Sequence, residues 1–264
     1  MCIRDRDIRA LYESMCSKQG PIFAETFFES EYRLDYKIHN FSKPILSILD
    51  GIVMGGGAGL MFASTYKIAT ERTKFAMPEI GVGLFPDVGF TSVIKDLPEG
   101  LGLYIMLTAS QLNASDMLLC NIVDSCLSYL KIEDFLLDVL KVAWKNEINE
   151  NLTLLDSLLK SSSYLRKAET FPASKIEKEL EKIQAMTNED NLMKVVDNIM
   201  SNAIEDEWFK KGKESLKKGS PTSAHLIWLQ HLNSSNLSLK EVFNFELNLA
   251  IQITRMGDFK EGIR

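Results

Sequence analysis

At 264 residues and 45% apolar content, the chain is long enough to bury a sizeable core and lies near the upper size for a single one. The 30 Lys and Arg against 36 Asp and Glu leave a net charge of −6, and no basic stripe with interleaved aromatics occurs, which argues against a nucleic-acid partner. Four cysteines without a CxxC spacing and three histidines without a paired spacing offer no metal or disulfide framework, and no apolar run approaches the ~20 residues of a membrane span.

In chain order, the first clear element is residues 44–54 (PILSILDGIVM), which read as a mostly buried strand. Residues 55–64 (GGGAGLMFAS) then open a helix. Glycines at a strand-to-helix turn permit positive φ and let a ligand approach main-chain N–H groups. The helix N-terminus adds unsatisfied donors and partial positive charge. Such a turn can hold a phosphate or stabilise the oxyanion of an attacked carbonyl. It can also serve only for close helix–strand packing. The phosphate motifs fail on spacing: a G-x-G-x-x-G counted from Gly55 and Gly57 ends at Leu60, and no G-K-[ST] follows the turn.

Residues 66–77 (YKIATERTKFAM) read as a strand, a polar turn around Glu71-Arg72-Thr73, and a second strand. Glu79 falls just past that strand behind Pro78. Asp87 follows after Ile80-Gly81-Val82-Gly83-Leu84-Phe85-Pro86, a segment too apolar for a solvated loop. Carboxylates on such a segment must be paired, desolvated or functional. Two acids in one apolar site titrate apart, which leaves one to attack or accept a proton and the other to donate or to bind a hydroxyl. The structural alternative is that Asp87 caps a helix over 88–95 and Glu79 closes a turn.

The organisation changes near residue 127. From 133 to 216 the chain is almost free of glycine and rich in Lys, Glu and Leu at helical spacing, as in Ile132, Phe135, Leu136, Val139, Leu140 and Ala143. Thr187 before Asn188-Glu189-Asp190 reads as a helix start. Ser220-Pro221 reads as a cap with proline at the first helical position, and Ser238 with Glu241 as a capping box opening a helix to about Met256. Its Val242, Phe243, Phe245, Leu247, Leu249, Ala250 and Ile253 should face the core. Trp144, Trp208 and Trp228 are expected to pack. The chain divides into a core over 1–126 and a helical region over 127–264 packed on it, with no linker between independent domains.

The run KPILSILDGIVMGGGAGLMFASTYKIATERTKFAMPEIGVGLFPDVGF resembles the crotonase superfamily of enoyl-CoA hydratases and isomerases. Within that superfamily it is most similar to the branch that hydrolyses 3-hydroxyisobutyryl-CoA in valine breakdown. The likeness extends, more weakly, from Asp7-Ile8-Arg9 to Gly257-Asp258-Phe259 and on to Arg264. It implies an α/β fold, a spiral of ββα units followed by a C-terminal helical region. The substrate it implies is an acyl-CoA thioester, coenzyme A being part of the substrate rather than a cofactor. Gly56 matches the residue whose N–H forms one arm of the oxyanion hole. Glu79 matches the glutamate that acts on the thioester as nucleophile or base, Asp87 the second active-site acid, and Glu31 a further substrate-site carboxylate. A hydratase of the superfamily carries glutamate where this chain has Gly59 and commonly glycine where it has Asp87, so the resemblance implies hydrolysis. Hydratase or isomerase activity on an enoyl-CoA and non-catalytic acyl-CoA binding are the alternatives.

Several positions depart from the family pattern. A glycine pair normally precedes the acidic residue matched by Asp7, whereas here Asp5-Arg6 does, with Arg6 at the second oxyanion arm. The first strands of the family core and part of its coenzyme A site have no counterpart, and the family continues beyond Arg264. The expectation is a chain incomplete at both ends whose first six residues are not native to it. Phe90 replaces a further glycine, and Ile122-Val123-Asp124-Ser125 lacks a histidine that is frequent there. The resemblance also implies homo-oligomers and a cytoplasmic location in a bacterium or the mitochondrial matrix in a eukaryote, while charge and composition imply no membrane or nucleic-acid partner.

Overall fold

The computed structural model describes residues 8–161, 164 and 171–264. Helices α1 (Ile8–Met15) and α2 (Ile22–His39) lead into the sheet region. Residues 44–54 form two strands rather than one, β1 (Leu46–Leu49) and β2 (Ile52–Val53). Gly51 turns the chain at φ 99, and Asp50 fixes the corner by accepting hydrogen bonds from Thr70 Oγ1 at 2.8 Å and from the Arg72 guanidinium. That guanidinium holds the Asp50 carboxyl below its ordinary range.

Helix α3 (Gly56–Ala63) follows, then β3 (Tyr66–Ala69) and β4 (Lys74–Phe75). The strand–turn–strand expectation holds, but the two strands do not pair with each other. β3 lies parallel to β1, with Leu46 opposite Tyr66, and β4 lies parallel to β2, with Ile52 opposite Lys74. Each strand–strand–helix unit therefore sends its first strand to one sheet and its second to the other, which winds the chain as a spiral. Helices α4 (Phe90–Ile94) and α5 (Leu101–Thr108) precede β5 (Leu112–Asn113), which pairs antiparallel with β4. Helix α6 (Ala114–Leu119) and β6 (Ser125–Cys126) complete sheets of order β1-β3-β6 and β2-β4-β5.

The rest is helical: α7 (Ile132–Val139), α8 (Ile148–Leu159), α9 (Ile176–Thr187) and α10 (Leu192–Ser201). Then come α11 (Glu207–Lys218), α12 (Pro221–Asn233), α13 (Leu239–Met256) and α14 (Asp258–Ile263). The Ser220 cap accepts from the Ser223 N–H, and Ser238 with Glu241 forms the capping box. α13 packs on α2, α11 and α12 on α5, and one continuous apolar core runs from Leu11 through Phe85 to Phe259. α7 and α8 instead close a smaller cluster over β3, built on Tyr66, Ile68, Phe135 and Leu155.

Three expectations fail locally. Thr187 ends α9 rather than starting a helix, its hydroxyl turning back to the Ile183 carbonyl at 2.9 Å, and the next cap is Asn191. Trp144, beyond the end of α7, is 43% exposed rather than packed. Phe245 is half-buried, since the core face of α13 turns through Val242, Phe243 and Glu246 instead.

Candidate active site

The parallel pairing of β2 with β4 organises the site. Val53 lies opposite Phe75, and the pairing continues as the Ala76 N–H donates to the Val53 carbonyl at 3.3 Å. The two chains then leave the same end of the sheet, roughly 4.8 Å apart as adjacent strands are. One continues as the glycine turn and the other as Met77-Pro78-Glu79. Gly55 adopts φ 53 there, a conformation that suits glycine, and Gly56 opens α3. Gly57 and Ala58 donate their N–H groups to the Met54 and Gly55 carbonyls at 3.1 and 2.9 Å. The Gly56 N–H, at the first helical position, has no intrahelical acceptor. A cavity of about 600 Å³ borders both strand ends, lined among others by Met54, Ala76, Pro78, Trp208 and Lys211.

Glu79 is 4% exposed and opens a short 3-10 turn to Val82, which Gly83 ends in the left-handed conformation. Asp87 is fully buried and does not cap α4: Gly89 holds the cap position and no side chain serves it. The Asp87 carboxylate instead accepts a hydrogen bond from the Tyr32 hydroxyl at 2.5 Å. Next to it, the buried Val88 has φ 55, a left-handed conformation that costs a β-branched residue about 1–3 kcal/mol. The surroundings hold it there. On α13, the wholly buried Glu246 accepts from the Gly89 N–H at 2.7 Å and the Thr91 N–H at 3.0 Å. On α12, buried Gln230 donates to the Pro86 carbonyl at 2.5 Å and to Thr91 Oγ1 at 2.8 Å. Burial pushes the Glu246 carboxyl up to about 8; the Gly89 N–H bond opposes this rise and the neighbouring Asp87 charge adds to it.

Helix α2 lies against α3 and brings in a second group of side chains. Glu31 is half-buried and adjoins Tyr32, the residue bonded to Asp87. Asp35, one turn on, is 2% exposed. A Cβ at Gly59 would lie 2.8 Å from Asp35 Oδ2 and 2.8 Å from Val88 Cβ, so these two residues fill the space a side chain at 59 would need. Arg6 and Asp7, at the expected second oxyanion arm, lie outside the described residues.

Sequence reasoning passed over Tyr32, Asp35, Gln230 and Glu246. One signal was available for Glu246: it is a charged residue in the apolar stripe of α13, three residues after Phe243 and four before Ala250.

The family model described as Enoyl-CoA hydratase/isomerase matches residues 6–264. The chain belongs to the enoyl-CoA hydratase/isomerase family. Among curated relatives it is 33% identical over 258 residues to the mitochondrial 3-hydroxyisobutyryl-CoA hydrolase of Danio rerio, covering 98% of this chain and 65% of that protein. It is 34% identical to the Xenopus tropicalis protein of the same name, with the same shares covered. Against the human one the identity is 30%, with 98% and 64% covered. The chain thus spans about 65% of the length of these relatives. Among solved structures, a carnitinyl-CoA dehydratase from Mycobacterium thermoresistibile superposes with a TM-score of 0.82 at 27% identity, over 98% of this chain and 70% of that one. An enoyl-CoA hydratase from Rhodobacter sphaeroides gives 0.79 at 23%, with the same shares covered, and shows the fold alone. The α/β spiral with its helical C-terminal region is therefore the enoyl-CoA hydratase/isomerase fold, as the resemblance implied.

Proposed function

We propose that this chain carries the hydrolytic centre of a β-hydroxyacyl-CoA thioesterase, with 3-hydroxyisobutyryl-CoA as its substrate. The observation that carries the reading is the shared exit of the glycine turn and the Glu79 segment from adjacent parallel strands. That arrangement suits a thioester carbonyl held between a main-chain donor and a carboxylate. As the carbonyl is attacked, charge grows on its oxygen. The Gly56 N–H, aided by the α3 terminus, would stabilise it, a contribution worth roughly 10²–10³ in rate per donor.

Glu79 acts in one of two ways. As nucleophile, its carboxylate adds to the carbonyl carbon and expels the coenzyme A thiolate, leaving a mixed anhydride that water cleaves to the hydroxy acid and regenerated Glu79. As base, it takes a proton from water, which adds directly. Either way the sum is thioester plus water giving acid plus thiol. Asp87, oriented by Tyr32, binds the substrate hydroxyl or assists the departing thiolate, and Glu31 is a further contact. The names of the curated relatives support this substrate class, and their mitochondrial label supports a mitochondrial location in a eukaryotic source.

Hydrolysis is favoured over hydration on steric grounds. Addition of water across a double bond uses two opposed carboxylates, and Asp35 with Val88 leaves no space for a glutamate at 59. The test is thiol release from 3-hydroxyisobutyryl-CoA, followed with a thiol-reactive dye on the protein that carries this sequence, beside Glu79→Gln and Asp87→Asn. Release by the wild type that falls at least a hundredfold in Glu79→Gln is expected. No release above background, or equal release by all three, would refute the assignment. A single turnover in heavy-oxygen water, with label sought in Glu79, separates the two routes.

A further inference from the structure

The geometry points to Glu246 and Gln230 as positioning residues: from α13 and α12 they clamp the Pro86–Thr91 turn and so fix the direction in which Asp87 presents its carboxylate to Tyr32 and the site. That this aim serves catalysis rests on the hydrolase reading; the clamp itself does not.

The turn contains one residue in a conformation it would not choose. Val88 is held left-handed, and without restraint it would return to the extended or right-handed region, rotating the peptide that bears Asp87. The restraints are complete on both sides of it. Glu246 uses one carboxyl oxygen for the Gly89 N–H and the other for the Thr91 N–H, while Gln230 holds the Pro86 carbonyl before Asp87 and the Thr91 hydroxyl after it. The Asp87 carboxylate itself accepts from the Tyr32 hydroxyl on α2. A buried carboxyl with two main-chain bonds in an apolar stripe is an expensive way to fill a core position. Leucine would avoid that penalty but leave the Gly89 and Thr91 N–H groups unpaired, so the glutamate answers to the turn rather than to packing. What glutamate adds is two acceptors aimed at one turn.

The test is a double-mutant cycle in folding stability, which needs no catalysis. Tyr32→Phe is measured by urea unfolding in the wild type and in Glu246→Gln, where one acceptor is replaced by an amide donor facing an N–H. If the clamp aims Asp87, loosening it already weakens the Tyr32 contact. Tyr32→Phe should then lower the folding constant at least threefold less in Glu246→Gln than in the wild type. Additive effects, within about 1.5-fold, would overturn the inference. If Glu246→Gln does not fold, Gln230→Met gives the same cycle without altering charge, with the same two outcomes.

A second arm reads thiol release. Glu246→Gln should lower kcat at least tenfold with KM changed less than about twofold, and should have no further effect on kcat in an Asp87→Asn background. A multiplicative loss in that background would overturn the positioning role. If the wild type releases no thiol, the hydrolase reading fails while the stability cycle still decides the clamp.

Discussion

Replacing Tyr32 by phenylalanine removes one oxygen and nothing else from beside Asp87. The hydroxyl sits 2.5 Å from Asp87 Oδ2, and Tyr32 and Asp87 are 2% and 0% exposed, so water cannot take its place. A hydrogen bond to a charged group is worth about 1.5–3 kcal/mol. The ring itself keeps its packing against Phe28 and Phe243 at centroid distances of 5.9 and 6.1 Å, so no cavity offsets or enlarges the loss. For a chain of this size each kcal/mol moves the melting temperature by about 2–4 °C, which gives an expected fall of about 3–12 °C. Differential scanning calorimetry at neutral pH measures it. Tyr36→Phe, one turn along α2 and half-buried, is the control and should shift the transition by less than about 2 °C. A Tyr32→Phe transition indistinguishable from that control would refute the view that Asp87 is a buried, hydrogen-bonded carboxylate.

Gly59→Ala should destabilise by about 1–3 kcal/mol in urea unfolding despite alanine's better helix propensity, because its Cβ meets Asp35 and Val88 at 2.8 Å. An unchanged or raised midpoint would show that the space is open. Gly262→Ala should lose about 3 kcal/mol or more, since a Cβ there falls 2.2 Å from the Val82 backbone and must lift α14 off the turn that begins with Glu79. Comparing its thiol release with its unfolding midpoint tests whether the two fall together. Glu246 also makes stability depend on pH. Its folded value of about 8 lies above the ordinary value of 4.5, so its contribution is full below about 4.5 and is lost as pH rises through about 8. Unfolding midpoints measured from pH 5 to 9 should fall more steeply for the wild type than for Glu246→Gln. Parallel curves would refute the shift. His39 and His231, lowered by burial, act in the opposite sense below about 6.5 and leave the upper part of that window to Glu246.

Much of the local structure was legible because it is written in short patterns. The glycine turn, the caps at Ser220 and Ser238 and the helix ending at Met256 depend on residues within a few positions of one another, and those the sequence displays directly. Thr187 shows the limit: a threonine ahead of three polar residues suits a helix start, but its hydroxyl satisfied the helix behind it. Asp87 shows another. Its position before a short helix suggested a cap, and only the arrival of α2 revealed the partner it has instead.

By itself, then, the amino-acid order determined the element types, the family likeness and the identity of the acids worth testing, since strand exits, glycine conformations and apolar segments are consequences of neighbouring residues. The tertiary structure alone decided that residues 44–54 divide between two sheets, that Asp35 and Val88 fill the space beside Gly59, and that Tyr32, Gln230 and Glu246 converge on the turn around Asp87. The hydrogen bonds of that turn join residues 55 to 157 positions apart. Periodicity and propensity act over one or two turns of chain, so partners that meet only when helices pack leave no local mark in the sequence.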